Sequence, residues 1–233
     1  MAIIEAIKAS DQKVRFKQSV ATKNKFIDMI RQRPSCLHIS CHGFDQTDTT
    51  SMRLTREEDL RNLLFETENG DGRLISQREL SKILKQATTK IKLVFVAACM
   101  SQFVGEIFQQ CDVPHVICSQ QGKSILDKAA ISFSKSFYSK LFKGEAVCKA
   151  FEMAKDEVAV NFNEEEANRF KLMISTGQFK HAPKHCTTRW PQKKGQLECL
   201  SEHIKFKHLR AKITNFIARE IDFFKLVQFI QNE

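Results

Sequence analysis

Cys99 and His42 are the two side chains of this sequence whose types and placement suit nucleophilic chemistry. Cys99 closes a Val-rich apolar run, Leu93-Val94-Phe95-Val96-Ala97-Ala98, which is too short for a helix and reads as a buried strand. From Ser101 onward the period changes, and Phe103, Val104, Ile107 and Phe108 recur at spacings of three and four, as on a helix. The thiol therefore falls at a strand-to-helix junction, where α/β sheets present their ligand-binding groups and where the positive end of a helix favours a thiolate. Cys36-Leu37-His38-Ile39-Ser40-Cys41-His42-Gly43 repeats the pattern, a short apolar strand that ends on His42 and Gly43. Two buried strands that each deliver a reactive group at their C-terminal end give the geometry of a Cys–His dyad. Gly43 lets the backbone approach a substrate closely and offers its N–H to an oxyanion. The plainer reading makes Cys99 one more core cysteine, since free cysteines are among the most buried residues. The matching His42 strand weighs against it.

The elements that must position this pair follow from the pattern around it. The chain has 233 residues, 42% of them hydrophobic, enough for one compact domain with a small extension. No stretch approaches 18 uninterrupted apolar residues, so no membrane span is expected. The first residues carry an early acid, Glu5, and no long apolar segment, so no secretory signal is expected either. Eight cysteines without framework spacing point to a reducing compartment, the cytoplasm. A net charge of +10 raises nucleic acid as a partner, but the charge is diffuse. Its densest block, 184–194, lacks the interleaved aromatics of a base-stacking surface, so a solvated Lys-rich surface is the simpler reading.

Along the chain, residues 1–19 carry little signal beyond a short strand at 14–16. A helix starts at Thr22, shows Phe26, Ile27 and Ile30 on one face and stops at Pro34. Residues 44–59 read as a polar loop, and Asn69-Gly70 between apolar runs marks a hairpin. Ser76 and Glu79 form a capping box that opens the next helix. A buried strand over 113–118 leaves by the loop at Gln120, and its His115 reads as a packed histidine. An amphipathic helix covers 127–141, Gly144 ends it, a second helix covers 145–160, and a last strand covers 170–174. Residues 178–209 are basic and without period, and read as a linker or loop layer. His181, His185, Cys186 and Cys199 within it are too loosely spaced for a metal site, so no metal or other cofactor is expected.

With these motifs in hand, the chain resembles the CHAT domain, a caspase-like module of the clan CD cysteine peptidases. The shared marks are an apolar strand ending in His42-Gly43 and another ending in Ala98-Cys99. Leu74-Ile75-Ser76 with Glu79-Leu80 is similar to the family's Leu-Ser-x-x-Glu-Leu helix start. Cys99-x-Ser101, then Val113-Pro114-His115-Val116-Ile117, resembles its Cys-x-Ser and Val-Pro-x-Val-Ile block. Asp127, Ala130, Phe133, Phe137, Tyr138, Leu141 and Gly144 match the helix that follows. The likeness covers roughly residues 12–176. A second one lies at 213–227, where Ile213-Thr214-Asn215-Phe216-Ile217-Ala218-Arg219-Glu220, then Asp222 and Leu226-Val227, resembles the Phe-Ile-Gly-Arg-Glu lead-in to a STAND-type NTPase, with Ala218 in place of the usual Gly; the plainer reading is an ordinary amphipathic C-terminal helix.

The resemblance implies an α/β fold, a caspase-like three-layer sandwich with a mostly parallel sheet flanked by helices. It divides the chain into a peptidase domain at 1–177, a basic linker at 178–209 and, at 210–233, the start of a truncated STAND NTPase-type segment. It implies a regulated cysteine endopeptidase in stress, defence or cell-death signalling, with a protein or peptide substrate and a regulatory NTPase in a full-length form. Cys99 would attack the scissile carbonyl, His42 would protonate the leaving amine, and the N–H groups of Gly43 and Cys99 would hold the oxyanion. Gln120 and Asp127 would lie near the pocket for the residue before the cut, where Asp127 would favour a basic side chain; Asp127 also reads as a helix cap. Two other functions stand beside this one: a catalytically silent CHAT-like module that acts through protein contacts, and a basic nucleic-acid-binding protein.

Overall fold

Alternation along single strands sets the layers. In β2 (Cys36–Ser40), Cys36 and His38 face one side, and Leu37 and Ile39 face the other. In β6 (Leu93–Ala97), Leu93 and Phe95 oppose Val94 and Val96 in the same way. A strand buried on both faces has to be apolar throughout, and these are. The protein is described here by a computed structural model that covers residues 2–45, 61–85, 91–175, 188–195, 198–199 and 225–230.

The main sheet has seven strands in the order β8-β7-β6-β2-β10-β1-β9. Besides β2 and β6 these are β1 (Arg15–Val20), β7 (His115–Ser119), β8 (Phe170–Ile174), β9 (Glu198–Cys199) and β10 (Lys225–Ile230). β2, β6 and β7 are mutually parallel; β1 and β9 run the same way, and only β8 and β10 oppose them. The sheet is thus mostly parallel. On one face lie α1 (Ala2–Lys8), α5 (Asp127–Phe142) and α6 (Val147–Asn161). The other face carries α2 (Lys23–Arg31), α3 (Gln77–Lys85) and α4 (Gln102–Gln110). A short α7 (Glu164–Ala167) leads into β8. This is the three-layer α/β sandwich expected. Among the described residues no helix is long and apolar enough to cross a membrane.

A second sheet, β3 (His42–Asp45), β4 (Arg61–Glu66) and β5 (Gly72–Ser76), is antiparallel. β4 and β5 are the expected hairpin. Gly70 takes φ 85° in its turn, a conformation that costs glycine nothing. The Ser76 half of the capping box forms, with the Glu79 N–H donating to Ser76 Oγ at 3.2 Å, while Glu79 Oε1 pairs with Lys23 and Arg73. The second sheet corrects the reading of the His42 strand. β2 ends at Ser40, the Cys41 N–H makes one last bond to the Ala97 carbonyl at 3.4 Å, and His42 opens β3 instead of closing β2. The expected loop at 44–59 is likewise corrected at its start, because Phe44 and Asp45 belong to β3; residues 46–60 lie outside the described ones.

The helix α1, which the sequence did not signal, packs Ala6 and Ile7 into the core beside α5. The sheet also draws on both sides of the expected boundary at 177: β10 is hydrogen-bonded between β1 and β2, antiparallel to each. Trp190, from the segment read as linker, is buried edge-on against Phe142 with ring centroids 5.3 Å apart. Residues 213–220 and Asp222 of the segment that resembles an NTPase lead-in, and His181, His185 and Cys186, lie outside the described residues, as does the side chain of Cys199, whereas Leu226 and Val227 of that segment belong to β10. Cys36, Cys41, Cys99, Cys111 and Cys118 are free thiols.

Between β2 and α5, His38 Nδ1 lies 3.1 Å from the Tyr138 hydroxyl and its ring packs edge-on to Phe95 at 4.7 Å. Burial pushes the His38 imidazole down from 6.5 to about 3. Between these values the unfolded chain binds a proton that the folded chain refuses. Stability from this group is therefore full above pH 6.5 and drains away as the pH falls towards 3. Burial shifts His115 in the same direction, opposed by its hydrogen bond to the Lys92 carbonyl. At about 1.4 kcal/mol per pH unit, His38 makes the acid limb steep. Urea midpoints between pH 7 and pH 4 should fall sharply in the wild type and less in His38→Gln, which keeps a polar group for Tyr138 and has no proton to gain.

Candidate active site

Strand register brings the two candidate residues to one edge. β2 and β6 are adjacent and parallel, with Ser40 opposite Ala97. His42 lies two residues beyond Ser40, and Cys99 lies two residues beyond Ala97. Both neighbours of His42 meet Cys99. A Cβ placed on Gly43 would overlap the Cys99 carbonyl oxygen and come within 3.0 Å of the carbonyl carbon, so only glycine permits this approach. The Cys41 thiol is pushed up by burial and, secondarily, by the nearness of Cys99. His42 is half-buried and starts β3, whose pairing of Gly43 with Leu63 fixes the strand from its far side. Its ring is 6.4 Å from that of Phe44, which is exposed.

Cys99 stands in the tight turn between β6 and α4. The residue after it, Met100, has φ 51°, in the left-handed region. A non-glycine residue held there costs about 1–3 kcal/mol and persists only where surrounding bonds enforce it. Those bonds are present. The Met100 N–H donates to the Lys123 carbonyl at 3.2 Å. The Ser101 N–H donates to Ser119 Oγ at 2.9 Å, and the Ser119 N–H returns a bond to Ser101 Oγ at 3.0 Å. The Ser119 hydroxyl donates to the Ala98 carbonyl at 2.8 Å. Both serines are fully buried. This reciprocal pair bolts the turn that bears Cys99 onto the end of β7. Removing it in Ser119→Ala strands a buried N–H and a buried carbonyl, each costing about 1–3 kcal/mol. We expect a loss of about 2–4 kcal/mol in urea unfolding.

The thiol faces the loop that leaves β7. The Ile125 N–H points at Cys99 Sγ at 3.5 Å, and the Ile125 carbonyl lies 4.0 Å from the same sulfur. Among the described residues nothing accepts the Cys99 N–H. An N–H directed at the sulfur suits a thiolate, and a neighbouring backbone N–H with no internal acceptor suits an oxyanion that forms on attack.

Gln120, expected near a specificity pocket, is exposed at the end of β7, with its N–H held by the Arg169 carbonyl at 2.9 Å. Asp127 is the first residue of α5 and half-buried. The helix cap position belongs to Leu126, which makes no side-chain cap, so Asp127 acts on the helix through its charge in the first turn and not as the cap. His115 is buried inside β7, as its apolar surroundings indicated. Two parts of the site escaped the sequence reading. Ser101 was visible only as a letter in a motif, and Ser119 had no signal. Glu166 sits in the acidic run Glu164-Glu165-Glu166, which looks like a solvated face, yet it is 4% exposed.

The mostly parallel α/β sandwich, with His42 and Cys99 each two residues beyond the paired Ser40 and Ala97 of neighbouring strands, fits the caspase-like class of folds. A family model described as the CHAT domain matches residues 1–191, and the chain belongs to that family, which is related to the clan CD cysteine peptidases. The match runs past the boundary expected at 177 and takes in Trp190. No curated protein matches the chain.

Proposed function

We propose that the protein is a cysteine endopeptidase of caspase-like mechanism. The observation that supports this reading is the close backbone approach of Gly43, the residue after His42, to the Cys99 carbonyl beyond the paired ends of β2 and β6. In the proposed reaction the Cys99 thiolate attacks the scissile carbonyl carbon. The C=O electron pair moves to oxygen, and the N–H groups of Gly43 and Cys99 hold the resulting oxyanion. His42 gives its proton to the leaving amine as the C–N bond breaks. Water then attacks the thioester carbonyl as His42 takes one of its protons, and the C–S bond breaks to release the acid product with the Cys99 thiolate and the protonated His42 restored. Gln120 and Asp127 flank the loop beside the thiol, and Asp127 would prefer a basic residue before the cut.

Substrate proteins, a regulatory NTPase in a longer form, and a place in stress, defence or cell-death signalling belong to the same proposal, supported by the family. The free thiols of the described residues support a cytoplasmic setting. A peptide library incubated with the purified chain tests the activity. Cleavage at defined bonds, blocked by iodoacetamide, is the expected result. A library left intact by a folded chain favours a silent interaction module instead.

A further inference from the structure

Glu166 and Arg169 form a pair with an unusual set of duties. Glu166 is 4% exposed, and its Oε1 meets Arg169 Nη1 at 2.6 Å. A buried carboxylate contributes little net stability when it is merely paired, because desolvation offsets the attraction. What this pair does is hold backbone. Arg169 Nη1 donates to the Ser124 carbonyl, and Glu166 Oε2 accepts the Leu126 N–H at 3.3 Å. The residue between those two anchors is Ile125, whose N–H points at Cys99 Sγ. The Arg169 main-chain carbonyl holds the start of the same loop through the Gln120 N–H. Glu166 itself is fixed, since its N–H donates to Asn163 Oδ1 at 2.8 Å at the start of α7.

We propose that the Glu166–Arg169 pair is a positioning clasp for the nucleophile: it locks the 124–126 backbone so that the Ile125 N–H stays directed at the Cys99 sulfur. His42 and Gly43 approach Cys99 from one side, and the clasp fixes the donor on the other. Without it, the 124–126 backbone is held only through the bonds of Gln121 and Lys123 farther along the loop, which do not fix the direction of the Ile125 N–H. The assignment rests on the reading of Cys99 as nucleophile. Glu166 and Arg169 are positioning residues, since neither touches the sulfur in this arrangement.

The test compares wild type, Glu166→Ala, Glu166→Gln and Leu126→Pro in the full chain. Leu126 has φ −65°, which proline adopts, so that variant removes the donated N–H and leaves the ion pair intact. Three quantities are read: kcat and KM on a cleaved peptide, the rate of Cys99 alkylation by iodoacetamide followed by peptide mass, and the melting temperature. A displaced donor near a reacting atom costs about 10–100-fold. Glu166→Ala and Leu126→Pro should lower kcat by at least about tenfold with KM within about twofold, and should slow Cys99 alkylation in parallel. Glu166→Gln, which keeps an acceptor for Leu126, should recover most of both. Unchanged alkylation and kcat in folded Glu166→Ala and Leu126→Pro would overturn the clasp, as would losses that track the fraction unfolded. If the wild type cleaves no peptide while alkylation still slows in these variants, the peptidase reading fails and the clasp stands.

Discussion

Cys99→Ala should abolish peptide cleavage, and His42→Ala should lower kcat by about 10²–10⁴-fold with a much smaller change in KM. The two losses have different origins. Without Cys99 no thioester forms, and the remaining backbone donors have no bound intermediate to stabilise. Without His42 the attack still occurs, but the leaving amine departs without a proton, which is the harder half of acylation. His42→Ala should therefore be rescued in part by a substrate with a good leaving group, such as a peptidyl thioester or activated ester, whereas Cys99→Ala should not. His42 and Cys99 lie equally far past the paired residues Ser40 and Ala97. Rates on amide and ester substrates for both variants check the prediction.

Gly43→Ala should be nearly as damaging, and for a purely steric reason. The new methyl group would lie on top of the Cys99 carbonyl oxygen, and at 3.0 Å from its carbon. Both opposing groups are backbone, so no side chain can swing aside. The end of β2 with the start of β3 must separate from the turn after β6. A displacement of about 1 Å in catalytic geometry costs about 100-fold, and forcing atoms into a packed site costs about 1–3 kcal/mol. We expect kcat/KM to fall by at least about 100-fold and the urea midpoint to drop. Valine or leucine at position 43 should unfold the site altogether. An alanine variant with full activity and stability would show that the two strands do not approach as described.

What the sequence made legible followed from local chemistry. β6 and β7 were readable because strands buried in a parallel sheet are short apolar runs. The hairpin was readable from Asn69-Gly70, and α3 from its Ser76 cap. Cys99 was readable because a change of period marks the turn that holds it. The misplacement of His42 has a physical reason too: 36–42 is one apolar run, and nothing in it signals that Cys41 ends one sheet and His42 begins another. That break depends on β4, some twenty residues later, which supplies the antiparallel partner.

Nonlocal features stayed hidden. The Ser101–Ser119 exchange joins residues 18 apart, and the Glu166–Leu126 bond joins residues 40 apart. Serines and a glutamate in an acidic run are common on surfaces, and only tertiary structure makes these particular ones buried. α1 was missed because seven residues give barely two turns of pattern, and its packing against α5 supplies what propensity lacks. β10 was missed because its apolar residues fit a helical lead-in equally well, and only pairing with β1 and β2 distinguishes the two.

The most direct test of a Cys99–His42 nucleophilic site is covalent labelling of the purified chain by a library of peptidyl acyloxymethyl ketones, mapped by peptide mass spectrometry. Among the described residues five free thiols serve as internal comparison: Cys36, Cys41, Cys99, Cys111 and Cys118. The account predicts an adduct on Cys99 alone, selective for certain peptides, absent in Cys99→Ala and strongly reduced in His42→Ala. An adduct spread over the other thiols, or one on Cys99 that persists undiminished in His42→Ala, would contradict it.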